Sequence, residues 1–290
     1  MPLKKIIIIA NLNARGYDSG RVCDVRDLLD RSIDTKLVYS EYPNHAGELA
    51  ALYGSDRGTL IAICGGDGSI HEAINGLPCD GMIGILPAGT ANVVAKELGI
   101  PFCIKEAAKV LLTGALKRFD TGRIEKRRFL MVAGFGFDAH VAGSVPALAK
   151  KLLGQYAYHL ESIRRYPFYS APEIRVSVDG APPVKGVFAL IINLRRYGGD
   201  LFFSPKAVPD DGYLDLVLFK SLAPDFLLKG LWGAFTRRGV GPDVAHRAQG
   251  REFVLESDSP IPYQLDGEIL PAKKAFYVSV GNKDLEMIVP

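Results

Sequence analysis

Through the first hundred residues, short unbroken apolar runs alternate with apolar positions spaced three and four apart. Ile6–Ala10 predicts a buried strand, and Val22, Val25, Leu28 and Leu29 predict a helix after it. Residues 36–39 read as a second strand, and the polar, alanine-rich stretch 45–53 as a second helix. Leu60–Cys64 has strand length, and Ile70, Ala73, Ile74 and Leu77 then recur at helical spacing. Met82–Leu86 predicts another strand, followed by the turn Pro87-Ala88-Gly89-Thr90 and a helix from Asn92 that ends at Gly99-Ile100-Pro101. Such βαβα order predicts a mostly parallel sheet covered on both faces.

The texture changes after about residue 120. Alternating segments appear at Ile174, Val176 and Val178, at 187–192, 214–219, 253–256 and 275–280, punctuated by Asp179-Gly180, Asp211-Gly212 and Asp266-Gly267. These predict an antiparallel sandwich or barrel. Two apolar stripes at helical spacing interrupt it, Leu148, Leu152, Tyr156, Leu160 and Ile163, and then 226–235 with Trp232. The expected division is an α/β domain over 1–121, with the tail 284–290 a candidate to return to it, and a β-rich domain over 122–283.

Composition changes this picture little. A chain of 290 residues with 48% apolar and 23% charged residues is an ordinary globular protein with ample core. A net charge of +3 gives no footing for a dedicated nucleic-acid binder. Cys23, Cys64, Cys79 and Cys103 lack metal-type spacing and read as free thiols of a reducing compartment. The run that follows Lys4-Lys5 is too short for a signal peptide or a span, and no other stretch is long enough to span, so a cytoplasmic protein is expected.

Candidate chemistry concentrates at Gly65-Gly66-Asp67-Gly68-Ser69, where a strand meets a helix. Three glycines in four residues can take positive φ and let a ligand approach the backbone, and a helix N-terminus suits a phosphate. Asp67 fits such a corner only if a cation shares it or if the carboxylate orders the loop. A tight βα turn is the alternative. In open parallel sheets ligands gather at the carboxyl ends of strands, so the loops 11–16, 65–69 and 87–92 are expected at one edge. Walker, protein-kinase, nucleophile-elbow and zinc patterns are absent. Gly134-Phe135-Gly136-Phe137-Asp138-Ala139 satisfies a dinucleotide fingerprint, yet it lies outside the βαβ-rich half and reads better as a packing turn. His71 reads as a surface or capping residue. Asp266 and Glu268 flank Gly267, so their carboxylates can project near one point and raise the pKa of one, unless the turn is turn chemistry alone.

Taken together and in order, Gly65–Glu72 with Asn75-Gly76-Leu77, Leu86–Asn92, Leu98–Pro101, Phe135–Ala139, Asp211–Asp215 and Asp266-Gly267-Glu268 resemble the diacylglycerol kinase catalytic-domain family of soluble lipid kinases. The resemblance spans nearly the whole chain. It implies a Rossmann-like α/β domain, a β-sandwich-like domain and a cleft between them that holds ATP. It implies nucleotide contacts from Asn11, Asn13, Arg15, Ser40, Gly65, Gly66, Asp67, Gly68, Ser69, Glu72, Thr90 and Asn92, with Asp67 beside a Mg²⁺. Thr90 could equally cap a helix. Glu268 is implied as the proton acceptor, with Asp266 as partner or rival, and a structural Mg²⁺ on the Asp211 carboxylate and the carbonyls of Val208 and Tyr213, helped by Asp210 and Asp215. The implied partner is a lipid hydroxyl, diacylglycerol-like or sphingoid-like, with peripheral contact at the inner membrane face and a homodimer left open.

Two departures stand out. Relatives begin with an Asn-Pro-x-Ser/Ala-Gly loop, whereas this chain has Asn11-Leu12-Asn13-Ala14-Arg15-Gly16, which loses the fixed φ of proline. Val93 and Val94 stand where an Asp is common. The stripe 148–163, flanked by Lys150-Lys151 and Arg164-Arg165, reads as an acyl-pocket or membrane helix or as a core helix. An NAD kinase-like small-molecule kinase and a catalytically silent nucleotide-binding protein are the competing functions.

Overall fold

The computed structural model describes residues 3–56, 58–79, 81–146 and 156–290. Two compact units are present, Met1–Phe119 with Lys283–Pro290, and Asp120–Asn282.

The first unit alternates β1 (Lys5–Asn11), α1 (Ser19–Asp30), β2 (Asp34–Ser40), α2 (His45–Tyr53), β3 (Thr59–Gly65), α3 (Asp67–Gly76), β4 (Met82–Pro87) and α4 (Val93–Glu97), and then has α5 (Ile104–Thr113). Its strands are parallel in the order β2-β1-β3-β4. The apolar runs of β1 and β3 are buried, as strands covered on both faces must be. α1 starts where Asp18 Oδ1 accepts the Arg21 amide at 2.9 Å. The β1-to-β2 and β2-to-β3 connections leave β1 in opposite directions along the sheet, so right-handed crossovers put α1 and α2 on opposite faces. α1 packs with α5, an element the alternation reading omits because its apolar positions follow a cluster of loop residues, and α2 packs with α3. The second pair is close because both helices carry glycine at the crossing, where a Cβ at Gly76 would lie 1.9 Å from the Gly47 carbonyl.

The second unit contains β6 (Arg127–Phe129), β7 (Val132–Phe135), β8 (Ile174–Val178), β9 (Val184–Gly186), β10 (Phe188–Ile192), β11 (Leu214–Phe219), β12 (Ala245–Gly250) and β13 (Glu252–Leu265). β5 (Ala115–Ile124) enters it from the first unit, and β14 (Glu268–Val289) leaves it, so that Glu286 and Met287 pair in parallel with β4 of the first unit. Within the second unit the order is β12-β11-β10-β7-β13-β14, antiparallel throughout, and β8 joins β9 to β13. Phe129, Phe135, Phe253, Ile261 and Phe276 sit in its buried core. The helices are α6 (Phe137–Ser144), α7 (Tyr156–Arg165) and α8 (Pro224–Phe235).

Of the stripe that begins at Leu148, residues 148, 150, 151 and 152 lie outside the described residues. In the described part Leu160 is exposed, while Glu161 is buried and accepts Arg165 Nε at 2.6 Å. Among the described residues no helix is long and apolar enough to cross a membrane.

The helix crossing yields a first expected outcome. Gly76→Ala should lower stability by about 1–3 kcal/mol through overpacking, despite the better helix propensity of alanine. Gly68→Ala meets nothing within 4 Å and should cost far less. Urea titration of the two variants compares them directly.

Candidate functional site

The strand order places a switch point between β1 and β3, where neighbouring crossovers diverge and strand ends open a crevice. The loops 11–16, 65–69 and 87–92 all leave carboxyl ends at this edge, and the chain ties them together. Asn11 Nδ2 donates to Ser69 Oγ at 2.8 Å, while Asn11 Oδ1 accepts the Asn13 amide at 2.8 Å. Asn13 Nδ2 reaches the Glu41 carbonyl at 3.4 Å, and the Leu12 amide donates to the carbonyl of buried Ser40 at 3.3 Å. The Gly16 amide donates to the Ala88 carbonyl at 2.8 Å, and the Ala88 amide to the Gly65 carbonyl at 2.9 Å.

The corner glycines act differently from the expectation. None of Gly65, Gly66 and Gly68 has positive φ, and Gly66 has φ −101°. Two of them are glycine because protein lies against them. A Cβ at Gly65 would stand 2.7 Å from Ser69 Oγ, and one at Gly66 3.0 Å from the Gly89 Cα. Gly68 is exposed with nothing within 4 Å of its missing Cβ, so it is the position at which the corner is open.

Asp67 is the clasp of the site. Its Oδ2 accepts the Val93 amide and its Oδ1 the Val94 amide, each at 3.0 Å, so a residue of the glycine loop caps the helix that follows the next strand. Thr90 therefore does not cap that helix and sits exposed at the tip of its turn. Asn92, in left-handed backbone at φ 48°, closes the turn by accepting the Gly89 amide at 2.9 Å and donating to the Gly89 carbonyl at 3.0 Å. The Ser69 amide is taken by the Gly66 carbonyl at 3.0 Å. Glu72 lies half-buried one turn beyond Gly68 on α3. Arg15 is exposed, and among the described residues nothing pairs with it. His71 is buried, with the Asn75 amide group donating to its carbonyl at 3.0 Å, which corrects its reading as a surface or capping residue.

In the second unit, Asp266-Gly267 is a two-residue hairpin turn with φ 49° and 92°, which pairs Leu265 with Glu268. Positive φ at both positions is the geometry that Asp-Gly favours. The two carboxylates take different partners. Asp266 accepts the amides of Leu130, Met131 and Val132 at 2.7, 2.8 and 2.9 Å, and its own amide donates to the Val132 carbonyl at 3.0 Å. Glu268, one-third exposed, accepts Arg127 Nη1 at 2.6 Å. Neither Arg127 nor the amide row at 130–132 carries a sequence signal that foretells these partners.

The acidic loop is also fastened. Asp211 Oδ1 accepts the Tyr213 amide at 2.9 Å and Oδ2 accepts Gln249 Nε2 at 3.0 Å. Buried Asp120, which no motif marks, accepts the Gly212 amide at 2.6 Å. Burial, and then the negative charge of Asp211, push the Asp215 carboxyl up to about 6. Val208 and Asp210 are exposed.

The Gly134–Ala139 fingerprint proves to be no βαβ turn. β7 runs antiparallel to both neighbours, and the chain enters α6 through Gly136 at φ 93°.

Comparison with known proteins agrees with this architecture. Residues 5–124 match the diacylglycerol kinase catalytic domain, and residues 131–288 match the YegS C-terminal NAD kinase beta sandwich-like domain. A Bacillus subtilis diacylglycerol kinase is 34% identical over 181 residues, covering 61% of this chain and 59% of that protein, less than two thirds of its length. A Chromohalobacter salexigens protein named "Probable lipid kinase YegS-like" is 31% identical over 221 residues, covering 74% and 71%. A crystal structure of a diacylglycerol kinase from Bacillus anthracis superposes with a TM-score of 0.76 at 19% identity, over 99% of this chain and 97% of that one, a likeness of fold. By fold and by both matching domains, the chain belongs to the diacylglycerol kinase catalytic-domain family.

Proposed function

We infer that this chain is an ATP-dependent lipid kinase that transfers the γ-phosphate to a hydroxyl of a diacylglycerol-like or sphingoid-like lipid. The observation that carries the reading is the corner at the β1/β3 switch point. There, Gly68 leaves the opening of α3 uncovered and Arg15 offers a guanidinium that no protein group occupies among the described residues. A helix N-terminus with a guanidinium on a loop fastened to it is matched to a polyphosphate. Asn11, Asn13, Ser40, Gly65, Gly66, Ser69, Glu72, Thr90 and Asn92 form or brace this cradle. Asp67 holds its two halves in register, and its negative charge would lie beside a Mg²⁺ that accompanies the nucleotide. Phosphoryl transfer asks mainly for positioning and charge neutralisation, and little covalent chemistry is left to the protein.

Glu268 is assigned as the base. It is partly exposed and bonded to Arg127, so its carboxylate is within reach of an acceptor's proton. Asp266, with three main-chain donors on its carboxylate, positions the turn instead.

The Asp211 loop suits a Mg²⁺ by its donors. Among the described residues no three His, Cys, Asp or Glu side chains gather as a metal centre. The set here is one carboxylate plus the Val208 and Tyr213 carbonyls, hard oxygen ligands of the type this ion prefers. Asp215 stands near enough for the charge of Asp211 to be felt, and a cation would relieve that repulsion. Bound there, the ion would supply order to the loop.

A lipid acceptor is favoured by α8. Leu228, Leu231, Trp232 and Phe235 are exposed at 68, 44, 65 and 69% along one stripe, with exposed Lys229, Arg237 and Arg238 at its rim. Apolar and aromatic residues bordered by cations fit the headgroup region of an anionic bilayer. A second copy meeting this face about a two-fold axis would set like charges together. The competing acceptor is NAD, which the matched description of the β-rich domain brings forward.

The deciding experiment gives purified protein labelled ATP, Mg²⁺ and a panel of diacylglycerol, sphingoid base, phosphatidylglycerol and NAD. Lipid product is expected, and Glu268→Gln should slow its formation by about 10²- to 10⁴-fold with ATP binding retained. Asp67→Ala should weaken both binding and transfer. Label on NAD and on no lipid would transfer the assignment to the small-molecule class, and bound ATP with no transfer would make the chain a silent binder. In a thermal melt, Mg²⁺ should raise Tm, and Asp211→Asn should remove that shift. In flotation assays, binding to phosphatidylglycerol vesicles should exceed binding to phosphatidylcholine vesicles and drop about tenfold or more in Trp232→Ala/Phe235→Ala, since about 3 kcal/mol of apolar contact is lost.

A further inference from the structure

The Gly134–Ala139 motif, unused by the nucleotide corner, leads to the hairpin that carries Glu268. Asp138, in the first turn of α6, is half-buried, and both its oxygens are taken. The Tyr197 hydroxyl donates to Oδ1, and Gln264 Nε2 donates to Oδ2 at 2.9 Å. On its other side Gln264 Oε1 accepts the Gly267 amide at 2.6 Å. Gly134 is the register partner of Gln264, and a Cβ there would lie 2.0 Å from Asp138 Oδ2 and 2.7 Å from Gln264 Nε2. The first glycine of the apparent fingerprint is therefore the gap through which Asp138 reaches Gln264.

We propose that Asp138 is a positioning residue of the phosphoryl-transfer site, acting through the orientation of the Gln264 amide on the turn that presents Glu268. The proposal rests on Glu268 as the base. A carboxylate can only accept, so Asp138 draws the amide nitrogen of Gln264 toward itself and leaves the carbonyl oxygen facing Gly267. The Gly267 N–H is a central amide of a two-residue turn with no ladder partner, and this oxygen satisfies it. Asp266 grips the same turn from the 130–132 side. With both central amides and the Asp266 side chain fixed, the residue that follows, Glu268, leaves the turn in one direction. Burial raises the Asp138 carboxyl above the ordinary range, while the Tyr197 and Gln264 donors pull it down.

The polarity of this chain of bonds makes a swap experiment available. In Asp138→Ala, the Gln264 amide loses the acceptor that orients it, and its nitrogen and oxygen are free to exchange places at the Gly267 N–H. In Gln264→Glu, two carboxylates face each other. In the double variant Asp138→Asn/Gln264→Glu, the introduced carboxylate accepts from the introduced amide and from the Gly267 N–H, and the pattern is restored. Each single variant should exchange the Gly267 amide faster by NMR and transfer phosphate about 10- to 100-fold more slowly with KM for ATP unchanged, and the double variant should recover both. Wild-type exchange at Gly267 in the single variants, or a double variant no better than either, would overturn the proposal. Glu268→Gln serves as the separate control: if it transfers phosphate at the wild-type rate, the base assignment fails, whereas Gly267 exchange still reports on the network.

Discussion

Main-chain amides that no helix or sheet satisfies must find an acceptor, and in this protein aspartate carboxylates at turns supply it. Asp67 takes the amides of Val93 and Val94, Asp266 those of residues 130–132, Asp120 that of Gly212, and Asp179 those of Arg251 and Glu252. Each bond carries charge on the acceptor, so it is stronger than a neutral one, and its loss would strand a donor that the loop cannot satisfy otherwise. The geometry of the candidate residues in each unit hangs on these contacts.

A division of labour results. In the first unit Asp67 makes the 65–69 and 87–92 loops one rigid wall, with Gly66 and Gly89 packed Cα against backbone, and leaves Gly68 and Arg15 facing outward. In the second unit Asp266 and Gln264 hold the hairpin turn from two sides, and Glu268 is the carboxylate that reaches an exposed side-chain partner, Arg127. The acids that look reactive are of two kinds. Asp67 and Asp266, with several main-chain donors each, build the loops, whereas Glu268 pairs with the side-chain cation of Arg127.

Most of the fold was legible in the pattern. The strands at 6–10, 60–64 and 82–86 are buried on both faces, and a continuous apolar run is what such a position requires. α5 was not legible, since its neighbours in sequence are turn residues and its buried side is small, Ala107, Ala108 and Leu111. The family set of motifs falls on the loops 65–69 and 87–92 that the chain ties together. The local expectation of positive φ at the corner glycines does not hold, since Gly65 and Gly66 pack against Ser69 and Gly89, and the alternative of a Thr90 cap gives way to Asp67, which caps that helix from another loop.

Local chemistry alone determined the alternation of elements, the Asp-Gly hairpin and the loops at strand ends, because periodicity and turn propensity act over a few residues. What only the tertiary structure decided was the partner of each acid. Asp67 meets amides 26 and 27 residues away, Asp266 meets amides 134 to 136 away, and Asp138 reaches Gln264 across 126. A carboxylate carries the same residue letter whether it clasps a loop, binds a cation or takes a proton. Which of these it does depends on what the sheet order brings within about 3 Å of it, and that distance is not written locally in the chain.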